Sequence, residues 1–443
     1  MVVTIVVLLI LAGVSISLLL DENGIIKKSK DARREYGQAK ANEQEDLSNL
    51  SDMIDEATGK VTLAKVPVGT KASKNGTING EEGNSNNPTI PKNYIPIDTA
   101  TSTWGDGSSA PSQDSVNHGL VIKDEQNNEW VWVPVDKATL ATMYEESSDE
   151  KTLCGTTGET AVKTKLYSKS ITIGTDSNTK TMSRTEPGTT ADPYCREPDL
   201  VVGSGTEYDA SDTYCKIILG EKGTKEQLAQ LFVDEYEAMI ESVSKYGGFY
   251  IGRYELSKAG VQKDKATLTK TNWYNLYKKC KELNASDKVK TQMIWGCQWD
   301  VTMNWLISSG AKTSDEVNKD SSSWGNYEGT SVKADDGTTV IKASETGAKL
   351  NTGKTTFTMA NNIYDLAGNC YEWTQEADST YRRDVRGGYY NINGPSYPAS
   401  SHNNFFPDYS GYDDGRFSSH FNNKVTLDSR AWAPMERIIV KQT

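Results

Sequence analysis

The chain has 443 residues, enough for two or three domains, and its 36% hydrophobic content and mean hydropathy of -0.61 describe a polar chain that can still close a core. The formal net charge of -12 excludes a protein that grips nucleic acid, because phosphate binding needs a basic face. Six cysteines stand at 154, 195, 215, 280, 297 and 370 with no CxxC pair, which excludes a zinc-ribbon or thioredoxin-like site and leaves disulfides and buried thiols both open.

Residues 2–20 form an uncharged apolar run, about long enough to cross the hydrocarbon core of a membrane as a helix. After Gly24 the chain turns polar and rich in helix formers, with Leu47, Leu50 and Ile54 on one face. Residues 1–58 are therefore expected to be a helical anchor. Residues 59–93 are dominated by Gly, Ser, Thr and Asn with no helical period, and are expected to be a linker.

From Tyr94 the pattern changes to short β segments with turns between them. Residues 118–122 and 129–135 predict a hairpin around a turn at 124–128. Residues 146–223 are rich in Thr, Ser and Gly and are expected to be an insertion of loops and short strands. Within it, Arg196-Glu197-Pro198-Asp199 is expected to be a turn, although its Glu-Pro pair is similar to the sugar-binding triplet of calcium-dependent lectins. Thr224 and Gln227 predict a capping box. Leu228, Leu231, Phe232, Met239, Ile240 and Val243 keep helical spacing from there to Gly247-Gly248, where the helix should stop. A strand over 249–255, helices over 272–283 and 299–307, and a helix stop at Ser308-Ser309-Gly310 follow. Trp295, Trp299 and Trp373 are expected in the core. The fold class is α+β, with a closing strand expected over 437–440.

Directly after Arg386-Gly387-Gly388 comes an unusual run, residues 389–423. It holds two of the three His and four of the seven Phe, and it contains no Lys, Glu, Gln, Met or Trp. Those five types are common elsewhere in the chain, so the gap is a compositional signal. All five need a purine in the third codon position. Free replacement of the adenines in an AAC or AAT codon never reaches them, and every residue of the run lies in the set it does reach. The run therefore resembles the variable region of proteins rewritten by diversity-generating retroelements. Its Tyr, Asn, Ser and Gly with a few large anchors are also what antibody loops use for recognition. Candidate ligand-binding residues are Tyr390, Asn391, Asn393, Ser396, Tyr397, Ser400, Ser401, His402, Asn403, Asn404, Phe405, Asp408, Tyr409, Tyr412, Asp413, His420, Asn422 and Asn423.

Two further resemblances frame this run. FYIGRYELS (249–257), IWGCQWDVTMNWL (294–306), NIYDLAGNCYEWT (362–374) and RRDVRGGYYN (382–391) come in the order found in the formylglycine-generating-enzyme-like branch of the C-type lectin fold. The resemblance covers about 94–443 and implies a lectin-type domain, with Gly387 and Gly388 giving the tight backbone path that presents the run. VVTIVVLLILAGVSISLLLDENGII (2–26) resembles the N-terminus of type IV pilin-like proteins of Gram-positive bacteria. That implies a domain held outside the cell by a membrane or pilus helix, with other pilins as partners.

The enzymes of this branch that make formylglycine hold copper with a cysteine pair near the C-terminal end, and no Cys follows Cys370. Relatives that use non-haem iron need clustered histidines, and of His118, His402 and His420 two lie in the run. No enzyme activity, cofactor or metal site is therefore expected. The expected function is binding of a protein or glycan on another cell, a phage or a host. The alternative is a minor pilin whose lectin-type domain has one fixed partner.

Overall fold

The strand Glu129–Pro134 shows how the frame of the molecule is built. Trp130 and Trp132 join one hydrophobic core, while Val131 and Val133 join the other. Alternate residues of a strand face opposite sides of a sheet, so a strand apolar at both must be covered on both faces. The computed structural model describes residues 77–78, 81–82, 84–91, 94–105, 110–154, 162–168, 171–174, 180–182, 210–283, 289–379, 382–407, 421–422 and 425–428. The expected anchor helix and most of the linker lie outside these residues. Among the described residues no helix is long and apolar enough to cross a membrane.

A six-stranded antiparallel sheet forms the centre. Its strands are β1 (Ile95–Ile97), β2 (Val121–Lys123), β3 (Glu129–Pro134), β4 (Gly248–Gly252), β5 (Lys290–Met293) and, last in the chain, Val425–Asp428. The last strand lies between β4 and β5, pairing Tyr250 with Leu427 and Gln292 with Thr426. The last described strand of the sheet is thus 425–428, just after the run; the closing strand expected over 437–440 lies outside the described residues. The hairpin of β2 and β3 forms as expected, with Asn127 at φ 68 and the Asp124 carboxylate accepting from the Gln126 and Asn128 amides.

Helix α1 (Lys225–Tyr246) begins at the expected capping box and ends at Gly247, whose φ of 73 suits a residue without Cβ. Helix α2 (Trp273–Glu282) is capped by the Asn272 side chain. Helix α3 (Gly296–Ser308) starts three residues earlier than its spacing predicts, because the Gln298 side chain reaches back to accept from the Trp295 amide. Trp295, Trp299 and Trp373 are all fully buried.

The expected insertion is more ordered than its composition implies. It holds a strand pair, Tyr144–Cys154 with Val162–Ser168, and a helix, Ala210–Leu219, where only loops and short strands were expected. Ile171 and Ile173 are buried beside α3, and Asn304 and Asn318 hydrogen-bond the backbone between Thr172 and Gly174. The domain also begins before Tyr94: Ile90 is fully buried, and the carbonyls of Ser85 and Thr89 accept from Trp132 and Tyr250. Cys215, Cys280, Cys297 and Cys370 are buried thiols. The architecture is α+β.

Candidate ligand-binding site

A second, four-stranded sheet carries the site. Strand β6 (Tyr371–Ser379) pairs antiparallel with β7 (Arg382–Arg386), and β7 pairs antiparallel with β8 (His402–Phe405). On the other side of β6, Phe421–Asn422 adds in parallel. The run therefore leaves this sheet at Arg386, returns as β8, and touches it again near its end.

Charged residues on β6, β7 and β8 meet beneath the run. Arg386 is fully buried and donates from Nη1 to Asp300 Oδ1 of α3 and from Nη2 to Glu376 Oε2, both at 2.8 Å. His402 stands opposite Arg386 in register, and its Nε2 lies 2.8 Å from Asp384 Oδ2 and 3.1 Å from Glu376 Oε1. Burial pulls the imidazole pKa down, but Asp384 and Glu376 overcome it and raise the value to about 10. His402 is thus an imidazolium between two carboxylates. Glu376, Asp384 and His402 place one ligand atom each within 4.8 Å of one another, so these three could hold a divalent ion after the imidazole loses its proton.

The turn after β7 is set by glycine. Gly387 and Gly388 have φ of 83 and 74, and a Cβ on Gly388 would sit 2.6 Å from the Tyr397 carbonyl. The Gly387 carbonyl accepts from Tyr327 Oη at 2.9 Å and from the Gly368 amide at 2.7 Å. Gly368 belongs to the Asp365–Asn369 signature. There the Asp365 carboxylate accepts from Thr352 and Gly353, and Asn369 donates to buried Glu255. The signature folds a backbone path that receives the turn of the run.

Aromatic rings continue the support. Tyr371 of β6, itself buried, lies 4.9 Å from Tyr389, 6.1 Å from Tyr397 and 5.9 Å from Phe405, measured between ring centroids. Asn403 reaches the Tyr371 hydroxyl at 3.4 Å, and Asn404 accepts from Arg382 at 2.6 Å.

The candidate residues divide by exposure. Asn391, Asn393 and Ser396 are exposed, while Tyr390, Tyr397, His402, Asn403, Asn404 and Phe405 are half-buried. Ser400 and Ser401 are buried and correct the expectation that they face a ligand. Asn422 is placed by its backbone alone, and Asp408, Tyr409, Tyr412, Asp413, His420 and Asn423 lie outside the described residues. Sequence reasoning missed Asp300, Glu376, Asp384 and Tyr371. The usable signal was the period-two charge pattern of two adjacent segments, Glu372, Glu376 and Arg382, Asp384, Arg386, which places opposite charges on facing strands.

No family model matches the chain, and no match was found among curated proteins. Among solved structures, the chain is similar to Treponema denticola variable protein 1. The identity is 13%, the match covers 68% of this chain and 96% of that one, and the TM-score is 0.22.

Proposed function

We propose that this chain is a ligand-binding variable protein. A lectin-type domain presents residues 389–423 as its recognition surface, and the N-terminal apolar segment holds it outside the cell as an adhesin or receptor. One observation carries the reading. The run that lacks all five residue types closed to adenine replacement is also the run whose exposed Asn and Ser and half-buried Tyr side chains stand on a buried, charge-paired support. Rigid support with small polar and aromatic contacts is what an adaptable binding surface needs. The support is built from strands and a helix, so exchange at the exposed positions leaves the frame intact. No catalytic role is assigned to any residue.

The test is genomic. A diversified protein has a second, near-identical copy of the coding sequence for 389–423, next to a reverse transcriptase and differing from it only at adenines. A locus without that copy sinks the diversification reading. Copper-dependent oxidation of a peptide cysteine by the purified chain would instead make it an enzyme; no turnover is expected.

A further inference from the structure

Among the described residues of the run, 398–401 form its longest buried stretch. Pro398, Ala399, Ser400 and Ser401 are all buried, between exposed residues at 391, 393, 395 and 396 and half-exposed ones at 403–406. Their backbone is held by the scaffold. The Ala399 carbonyl accepts from Trp299 Nε1 of α3 at 3.1 Å, and its amide donates to Ser321 Oγ at 2.8 Å. The Ser400 amide donates to the Val317 carbonyl at 3.1 Å, and the Ser401 amide closes a turn on Pro398. The Ala399 side chain belongs to the core that contains Trp299, Val317 and Trp324. The next residue is His402, ion-paired with Asp384 and Glu376.

We infer that residues 398–402 are a plug that seats the run in the scaffold, and that, among the described residues, the contact side chains lie in the stretches before and after it in sequence. This rests on the reading of the run as a diversified binding surface. The stretch before the plug carries Tyr390, Asn391, Asn393, Ser396 and Tyr397, the stretch after it carries Asn403, Asn404 and Phe405, and Tyr397 and Phe405 flank the same Tyr371 ring. Each stretch combines aromatic area with amide or hydroxyl groups. The plug constrains the chain in two ways. At 399 and 400 any side chain much larger than serine overpacks a filled core. At 402 two buried carboxylates require a cation, and His and Arg are the only cationic types that adenine replacement can reach.

Two libraries of the full chain on a display host test this, both drawn from the reachable residue types. One varies 391, 393, 396, 403 and 404; the other varies 399–402. Clones are read by thermal melting and protease resistance, with Ala399→Ser and Ala399→Tyr made as a separate pair. The first library should melt within about 2 °C of the parent. In the second, clones with large residues at 399 or 400, or without His or Arg at 402, should melt on the order of 5–10 °C lower, as should Ala399→Tyr but not Ala399→Ser. Equal tolerance in both libraries overturns the plug. Selection on immobilised hen lysozyme separates the two ideas. A first library that stays folded yet yields no binder defeats the binding-surface reading while the plug stands. Second-library clones that carry a large residue at 399 or 400, or lack His and Arg at 402, and still melt like the parent defeat the plug.

Discussion

Arg386 is fully buried between Asp300 and Glu376, and its removal takes the guanidinium from two buried carboxylates at once. Breaking a buried ion pair from one side costs about 3–5 kcal/mol, far more than a surface pair contributes. Arg386→Ala is therefore expected to lose stability of that order in chemical denaturation, and Arg386→Lys to recover only part, since one ammonium cannot serve both carboxylates with a planar fork. His402 gives a pH signature. Three charged groups face it: Asp384 and Arg386 from β7, and Glu376 from β6. Its folded-state pKa of about 10 lies above the ordinary 6.5. Its contribution is thus fully present below pH 6.5 and is lost as pH rises through 10. The melting temperature should fall over that window. His402→Asn should be less stable at pH 6 and show little of the slope; a parental slope in that variant would refute the pairing.

At the scale of the element, the turn at Gly387-Gly388 converts the end of β7 into the start of the run. Both residues sit at positive φ, and at Gly388 a methyl group would press on the Tyr397 carbonyl and the Tyr327 ring. Gly388→Ala should cost roughly 1–3 kcal/mol through backbone strain and contact together, and hydrogen exchange should rise over 389–397. What the sequence reveals and what it hides divide along the same lines. Helix α1 is legible because Thr224, Gln227 and Gly247 act within a turn of its ends. The tryptophan core and the glycine turn are legible because residue type alone points to burial or to positive φ. Helix Ala210–Leu219 is not, since packing of residues such as Cys215 into the core overrides a loop-like neighbourhood. The Glu376–Asp384–His402 cluster depends on the register of three strands, which no local pattern in any one of them specifies. The burial of Ser400 and Ser401 was hidden for a similar reason: serine fits a surface loop and a tight core seat equally well.

At the scale of the whole molecule, the run lies in sequence between two interior strands, β7 and Val425–Asp428. Its exposed positions should be nearly silent for stability: alanine at Asn391, Asn393 and Ser396 together is expected to change unfolding free energy by less than about 0.5 kcal/mol per site. The strand Val425–Asp428 behaves in the opposite way. It fills the gap between β4 and β5, pairing with both. A chain ending at 424 lacks the strand that joins them, and is expected to show no cooperative thermal transition by circular dichroism or calorimetry.

That placement has a consequence for how the chain is made. Leu427 pairs with Tyr250, so the central sheet waits for contacts between residues far apart in sequence. While the ribosome is still translating the run, the gap between β4 and β5 stays open. A stop or a shifted frame anywhere in 389–424 releases a chain that cannot close its sheet, and quality-control proteases act on such unfinished chains. Completion of the fold thus acts as a reading-frame check: what reaches the folded state has been translated through the whole of residues 389–424.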